Sequence, residues 1–371
     1  MWNHLPFDLL ARIFSFLSPD SLARATTACK HWQTCAKACT SYTVPAELRP
    51  CQPPWFLAVH SRNRGLSCYV HNPALDRWHS LPLDFLPDPI RPIAPIGILL
   101  LYRPAISSPL QLALCNLFTR RYRLLPALNI PRTSPAVSVI GVDKTGDDAL
   151  SSFRVYVAGG MSTATRGGTT YEPTMEMYDS RADEWQSLGR MPIEFAVRLT
   201  VWTPNESVYS DGFLYWMTSA RAYSVMGFEV STGLWKEVKV PKADRLEFAA
   251  LVRRKGRLAL VGGDCEGQAC IWELGAGDEW VLVEMVPTEL GRRFLGGKGN
   301  WFSTKCVGID EAVYLYRDLE SELLVWREVP EKGRWEWVWI EGCSCIKGEQ
   351  VPKFRVKGML LQPSLTPSYT L

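Results

Sequence analysis

Hydrophobic and polar residues alternate with a period of two along most of the chain, which predicts β-strands. The pattern is clearest in residues 153–192, where an apolar run at 155–158 is followed by Gly159-Gly160, a loop, the alternating segment Met-Glu-Met-Tyr-Asp at 175–179 and Trp185. These signals predict strand, loop, strand, turn and strand, without a helix. The paired glycines are typical of a backbone that takes a positive φ or passes close to another chain.

The same unit recurs six times, which indicates a repeat protein. Each copy has a polar residue six or seven positions before an aromatic residue, and the aromatic residues are 44, 63, 50, 45 and 55 residues apart. The six pairs are Asn72 and Trp78, Asn116 and Tyr122, Asp179 and Trp185, Glu229 and Trp235, Glu273 and Trp280, and Glu328 and Trp335.

Two of the copies resemble kelch repeats, whose period is about 50 residues. The resemblance depends on Gly159-Gly160 with Asp179 and Trp185, and on Gly262-Gly263 with Trp280. It extends over residues 55–361, although the other four copies lack the double glycine. It implies a mainly β fold, a six-bladed kelch-type β-propeller.

The number of strands indicates how such a ring would close. The first copy offers only three strands, whereas the last copy offers four and leaves the apolar residues 354–361 unused. We therefore expect the 354–361 strand to complete the first blade, so that no long sheet edge stays open.

The first 42 residues have a helical period instead. Leu9, Ile13 and Leu17 recur at a spacing of four residues, which predicts one apolar stripe of a helix. Pro6 suits its first turn, and Ser18-Pro19 suits the start of a second helix that runs to Trp32, with Ser18 as N-cap. Helices this short are marginal alone, so the bundle is expected to need a partner.

This stretch resembles the F-box motif, because Leu5-Pro6, the apolar stripe, Ser21-Leu22 and a closing Cys29-Lys30-x-Trp32 occur in the motif's order. Phe7 departs from it, since many F-box proteins have an acidic residue there. The resemblance implies binding to a Skp-type adaptor and, through it, to a cullin and a RING protein. The positions that match adaptor-facing residues are Leu5, Pro6, Leu9, Ile13 and Leu22, and those that match residues inside the bundle are Phe14, Leu17 and Trp32.

The predicted architecture is therefore a small α-helical F-box bundle at 1–42, a proline-rich linker at 43–54, a propeller at 55–361 and a flexible tail at 362–371. The linker is expected to be stiff and extended because it contains four prolines between residues 45 and 54.

Composition narrows the class of partner and the compartment. A net charge of +3 is too small to favour a nucleic-acid or membrane partner, and no secretory leader or membrane-spanning run is evident. Eleven cysteines without a Cys-x-x-Cys pair favour neither a disulfide framework nor a zinc ribbon. We therefore expect the protein to be located in the cytoplasm or the nucleus.

Enzyme chemistry is not favoured. All five histidines precede residue 80, so the predicted propeller has little imidazole for metal binding or general-base catalysis. Gly297-Lys298 is out of register with a phosphate-binding loop, and Gly299 stands where such a loop needs Ser or Thr. No catalytic residue, metal or cofactor is expected.

Several arginines follow the proline at the end of a copy by four to six residues, which predicts one face of the propeller for all of them. They are Arg132, Arg198, Arg245, Arg292 and Arg293. Such arginines could form a ring that binds carboxylate or phosphate groups, or they could simply pair with local acids. Trp301 and the glycine-rich loops 161–174 and 291–305 are expected on the same face.

Together these patterns resemble the F-box/kelch-repeat proteins of plants. The resemblance implies a non-catalytic substrate receptor of a ubiquitin ligase whose propeller binds a target protein, which the sequence does not identify. Two alternatives stay open: a kelch scaffold without a ligase role, and a propeller that holds an enzyme site or a small ligand.

Overall fold

The computed structural model describes residues 5–17, 19–39, 53–60, 67–105, 108–142, 152–164, 167–201, 207–220, 222–329, 332–346, 348–351 and 354–363. Ser18, most of the expected linker and most of the expected tail lie outside these residues. Within them the chain forms a small helical bundle and a six-bladed β-propeller, as the sequence predicts.

Three short helices form the N-terminal bundle: α1 (Phe7–Ser15), α2 (Pro19–Ala28) and α3 (Lys30–Cys39). Pro6 is the N-cap of α1, and Pro19 is the first residue of α2, where a missing amide donor costs nothing. The predicted second helix is interrupted before Trp32, because the chain leaves the helix at Cys29. The Cys29 thiol there accepts a hydrogen bond from the Trp32 amide at 3.4 Å, at the start of α3.

Each blade of the propeller is a four-stranded antiparallel sheet. Blade 1 contains β1 (Trp55–His60), β2 (Ser67–Asn72) and β3 (Arg77–Pro82), and blade 2 contains β4 (Ile90–Ile96), β5 (Leu99–Pro104), β6 (Ala113–Asn116) and β7 (Arg121–Leu124). Blade 3 contains β8 (Ala136–Val142), β9 (Ser152–Ala158), β12 (Thr174–Asp179) and β13 (Glu184–Arg190), with a separate hairpin of β10 (Met161–Thr163) and β11 (Thr169–Tyr171) between its second and third strands.

The remaining blades repeat this order. Blade 4 contains β14 (Ser207–Ser210), β15 (Phe213–Ser219), β16 (Tyr223–Glu229) and β17 (Trp235–Lys239). Blade 5 contains β18 (Leu246–Arg254), β19 (Arg257–Asp264), β20 (Ala269–Leu274) and β21 (Trp280–Met285). Blade 6 contains β22 (Lys305–Ile309), β23 (Ala312–Tyr316), β24 (Leu323–Val329) and β25 (Arg334–Ile340), and a short hairpin of β26 (Cys345–Ile346) and β27 (Glu349–Gln350) follows it.

The ring closes through the last strand of the described residues. β28 (Val356–Leu361) pairs antiparallel with β1, from Trp55 opposite Leu361 to His60 opposite Val356. It thus completes blade 1 as the strand count predicted for residues 354–361, and it is the innermost strand of that blade. The innermost strands contact one another in turn around the whole ring and line the central channel; they are β28, β4, β8, β14, β18 and β22.

The repeated polar-to-aromatic spacing corresponds to the turn between the third and fourth strands. In blade 2 the Asn116 side chain accepts hydrogen bonds from the amides of Phe118 and Thr119, which fixes this turn. In blades 1, 3 and 5 the indole N–H of the aromatic residue donates to a backbone carbonyl at the end of the preceding blade. These bonds join Trp78 to Glu341, Trp185 to Pro126 and Trp280 to Lys239, at 2.7–3.0 Å.

The connections divide between two faces of the ring. In an antiparallel sheet successive turns lie at opposite ends. The turns between the first and second strands and between the third and fourth strands of a blade therefore lie on one face. The connection between the second and third strands and the connection to the next blade lie on the other face. We call this the upper face. Two helices lie on it, α4 (Ile193–Val201) after blade 3 and α5 (Thr288–Leu295) after blade 5, as do both short hairpins.

Candidate functional site

The N-terminal bundle has a small core of its own. Leu10, Ala11 and Phe14 of α1 are buried and pack against Ala25 of α2 and Cys35 of α3. Phe14 also meets Trp32 edge to face, with ring centroids 5.3 Å apart. The predicted bundle residues Leu17 and Trp32 are partly buried against this core.

Helix α1 is also apolar on the side that faces away from this core. Three large apolar side chains are exposed there: Leu9 by 46%, Ile13 by 40% and Phe16 by 41%. A helix at the surface of a bundle normally presents polar residues to water, so these three residues form an apolar surface that no described residue covers. We call them the α1 strip.

The five predicted adaptor-facing residues divide between this strip and its margin. Leu9 and Ile13 belong to the α1 strip, and Pro6 is exposed at the start of the same helix. Leu5 and Leu22 are partly buried against the bundle core. All five therefore lie on the bundle, but their contact with an adaptor stays a prediction.

On the propeller, the five predicted arginines and Trp301 all lie in connections of the upper face, yet the structure does not bring them together as a ring. Arg132 is buried, with only 1% of its surface exposed, in the connection between blades 2 and 3. Its guanidinium pairs with Glu176 at 2.5 Å and donates to the backbone carbonyls of Gly159 and Thr174. Arg132 therefore ties the connection between blades 2 and 3 to blade 3 and does not face a bound protein, which corrects the prediction.

Trp301 requires the same correction, because its side chain has no exposed surface. It stacks near Phe294 of α5 at 5.9 Å between ring centroids and lies against Gly263. A Cβ atom at Gly263 would stand 2.4 Å from the indole, so this glycine makes the room for the ring. The second double glycine thus serves close packing, whereas Gly159 and Gly160 both take positive φ.

The other four arginines are accessible and have local partners. Arg198 of α4 donates to Glu237 at 2.8 Å and to the Thr218 hydroxyl at 3.1 Å, and Arg245 pairs with Glu266. Burial raises the pKa of the Glu237 carboxyl, but hydrogen bonds from Ser224 and Arg198 bring it below its usual value. The hydrogen bond to Glu266 raises the pKa of Arg245.

On α5, Arg292 pairs with Glu289 at 2.8 Å, and the Arg293 guanidinium lies over the Trp339 ring at 4.0 Å from its centroid. Both arginines stay exposed. Local acids thus engage Arg198, Arg245 and Arg292, as the alternative interpretation of the sequence expected, whereas a ring engages Arg293. Their part in target binding stays a prediction. The loop expected at 161–174 contains the β10–β11 hairpin, and the loop expected at 291–305 begins within α5.

The spacing analysis of the sequence missed two further arginines on the upper face, which form a pair. Arg91 of β4 and Arg103 of β5 are directly opposite each other in the ladder of blade 2. Arg91 lies six residues before the two-residue turn at 97–98 and Arg103 five residues after it. Counting outward from this turn could therefore have revealed that the two arginines are opposite each other.

The described residues contain no group of three or more His, Cys, Asp or Glu side chains that could hold a metal ion. Nor do the described helices include one that is long and apolar enough to cross a membrane. The arrangement offers surfaces for binding: an apolar strip on the bundle and a polar, arginine-containing face on the propeller.

Comparison with known proteins agrees with this division. A family model described as F-box-like matches residues 2–42. Three proteins of Arabidopsis thaliana are similar over nearly the whole chain. They are UNUSUAL FLORAL ORGANS (24% identity, 92% of this chain and 79% of that protein), F-box only protein 6 (23%, 94% and 72%) and an F-box/kelch-repeat protein (24%, 97% and 89%). These findings confirm the predicted resemblance to the plant F-box/kelch family.

Proposed function

Because the chain combines an F-box-like domain with a β-propeller, as plant F-box/kelch proteins do, we propose that it is the substrate-recognition subunit of a Skp–cullin–F-box ubiquitin ligase. The bundle binds a Skp-type adaptor, which brings the cullin and the RING protein, and the propeller binds the target protein. The chain is a receptor, and the transfer of ubiquitin is carried out by its partners.

The α1 strip is the observation that carries this proposal. Short helices are marginal in isolation, and this bundle has a core of only a few residues while Leu9 and Ile13 stay in water. Complete burial of an exposed Leu or Ile side chain is worth about 1.5–3 kcal/mol. A partner would gain the share that belongs to the 40–46% of Leu9 and Ile13 that is still exposed. A partner with an apolar groove would therefore stabilise the bundle and bind it tightly.

The target is expected on the upper face of the propeller. Loops on a rigid scaffold are the usual place for recognition, and this face has two helices, two hairpins and the accessible Arg198, Arg245, Arg292 and Arg293. Among the described residues, the lower face has mainly tight turns, such as those at 211–212 and 255–256. We propose the cytoplasm or the nucleus as the compartment of the protein, which suits the free thiols of nine cysteines.

The test is co-purification of the full chain with a Skp-type adaptor, a cullin and a RING protein, followed by the Ile13→Asp variant. A carboxylate at position 13 can stay hydrated in the free bundle, whereas an apolar groove would have to strip its water at a large cost. We expect the variant to lose the adaptor while the melting temperature of the propeller is unchanged.

Glu289→Gln is a matched control, because it changes one charge on an exposed helix of the upper face and is expected to keep the adaptor. If the wild-type chain does not capture the adaptor, or Ile13→Asp captures it equally well, the ligase role is refuted. A scaffold function without ubiquitylation would then be the better explanation.

A further inference from the structure

The pairing of Arg91 with Arg103 is unfavourable unless something neutralises it. The two residues are cross-strand partners in β4 and β5, so their side chains leave the same side of blade 2 with Cβ atoms about 4.5–5.5 Å apart. Like charges directly opposite each other destabilise a sheet. An ordinary structural pair at this position would combine an arginine with an acid.

The neighbours of Arg103 define where the pair lies. Leu101, two residues earlier, is buried among residues of blade 3, whereas Tyr102 is buried among residues of blade 1. Side chains alternate along a strand, so Arg103 and its partner Arg91 project from the side of blade 2 that faces blade 3. Arg91 lies near the start of β4 and Arg103 near the end of β5, which places both at the upper face, beside the channel that β4 lines.

The structure describes no carboxylate in contact with either arginine. Burial, and then the charge of Arg91, lower the pKa of Arg103, and no acid opposes them. The buried carboxylates of blade 3 are engaged elsewhere: Glu176 pairs with Arg132, and Glu172 accepts hydrogen bonds from Ser162 and Thr174. Arg91 is exposed and Arg103 half-buried, so a molecule on the upper face can reach both guanidinium groups.

We propose that Arg91 and Arg103 form an oxyanion-binding site for a carboxylate or phosphate group on a bound protein segment. A single oxyanion between the two guanidinium groups accepts hydrogen bonds from both and removes their repulsion. The half-buried position of Arg103 limits screening by water and strengthens these bonds. The site rests on the proposed function only in that the upper face receives the target.

The experiment measures fluorescence anisotropy of labelled peptides with the full chain, without an adaptor. The probes are hexaglutamate, a Gly-Ser peptide with two phosphoserines, and neutral hexaglutamine. We expect the wild-type chain to bind at least one acidic probe, with an affinity that falls as salt increases. The R91Q/R103Q variant should bind that probe at least about tenfold more weakly, the loss expected for a charge-assisted contact. The tighter of the two acidic probes identifies carboxylate or phosphate as the preferred group.

The R77Q/R121Q variant is a matched control, because it removes the same charge from two exposed arginines beside turns of the lower face. Equal weakening in both variants, or no binding of either acidic probe, would overturn the proposal. R91Q/R103Q should melt no lower than wild type, since it removes a repulsion, and a lower melting temperature would indicate a structural pair instead. Adaptor capture is independent of these residues, so failure here is distinguishable from failure of the ligase role.

Discussion

Arg132 and Glu176 form an ion pair in which neither side chain reaches the solvent. The pair is completed by the backbone: the amides of Asn129 and Ile130 donate to the two Glu176 oxygens at 2.8 and 3.1 Å. The connection between blades 2 and 3 is thereby tied to β12, and every charged atom of the pair has a hydrogen-bond partner.

We predict that removing either member of this pair destabilises the propeller by about 3–5 kcal/mol, because the remaining charge stays buried without a partner. Urea unfolding of Arg132→Met and Glu176→Gln would measure the loss. Glu237→Gln is the control, since its partner Arg198 keeps access to water and the expected change is only about 0–1 kcal/mol. Equal effects at the two sites would contradict this account.

The indole bridges between blades lead to a second prediction. Trp185 is buried beside Tyr178, and its N–H donates to the Pro126 carbonyl at 2.8 Å. Trp185→Ala should lower the free energy of unfolding by about 3–5 kcal/mol, as in other large-to-small core substitutions. Trp185→Phe keeps most of the ring and removes the bond, so its unfolding should show a smaller loss than Trp185→Ala. A Phe variant as unstable as the Ala variant would assign the whole effect to the hydrogen bond.

Gly160 gives a prediction that separates backbone conformation from space. Its φ is +97°, and a Cβ atom there would stand 2.8 Å from the Thr133 carbonyl oxygen. Gly189 has a φ of +99° with open space around it. Alanine at either position should cost about 1–2 kcal/mol for the left-handed conformation, and only Gly160→Ala adds a clash. Thermal melting of the two variants should therefore place Gly160→Ala clearly below Gly189→Ala, and equal melting temperatures would refute the role of close approach.

The stability of the propeller should depend on pH through His71. Burial lowers the pKa of His71 from its ordinary value of 6.5, against the opposing hydrogen bond and charge of Asp76. The unfolded chain then binds more protons than the folded chain below pH 6.5, so stability is complete above that pH and falls as the pH drops below it. Urea midpoints at pH 7.5 and about pH 5.5 should differ less in His71→Gln than in wild type. An equal pH dependence in the variant would exclude His71 as the cause.

Sequence reasoning predicted the ring because its signals are local. Turn residues such as Asn116 and ring residues such as Trp185 act within one hairpin, so their spacing shows directly in the chain. No such local signal indicates helix α4, because its residues Ile193, Val197 and Val201 are β-branched and favour strands. The helix forms there because Ala196 and Leu199, three positions apart, are buried together in the core between blades.

The sequence predicted on which face the candidate site residues lie, but not whether their side chains are buried. The proline-to-arginine spacing placed Arg132 on the upper face, since it counts residues from the end of each blade, and the glycine-rich loop 291–305 placed Trp301 there. Their burial depends on distant residues, namely Glu176 for the arginine and Gly263 for the indole. Arg91 and Arg103 went unrecognised because their meeting requires the hairpin register, which the bulge between Pro92 and Ala94 shifts by one residue.

The pairing of β28 with β1 has a consequence during translation. β1 leaves the ribosome before the rest of the ring, yet it waits for a partner strand that begins only at Val356. Until then β1 presents an unpaired strand edge, a site at which nascent chains associate wrongly. A premature stop codon before residue 356 would therefore release an open ring, which cellular quality control would treat as misfolded even though five complete blades had been made.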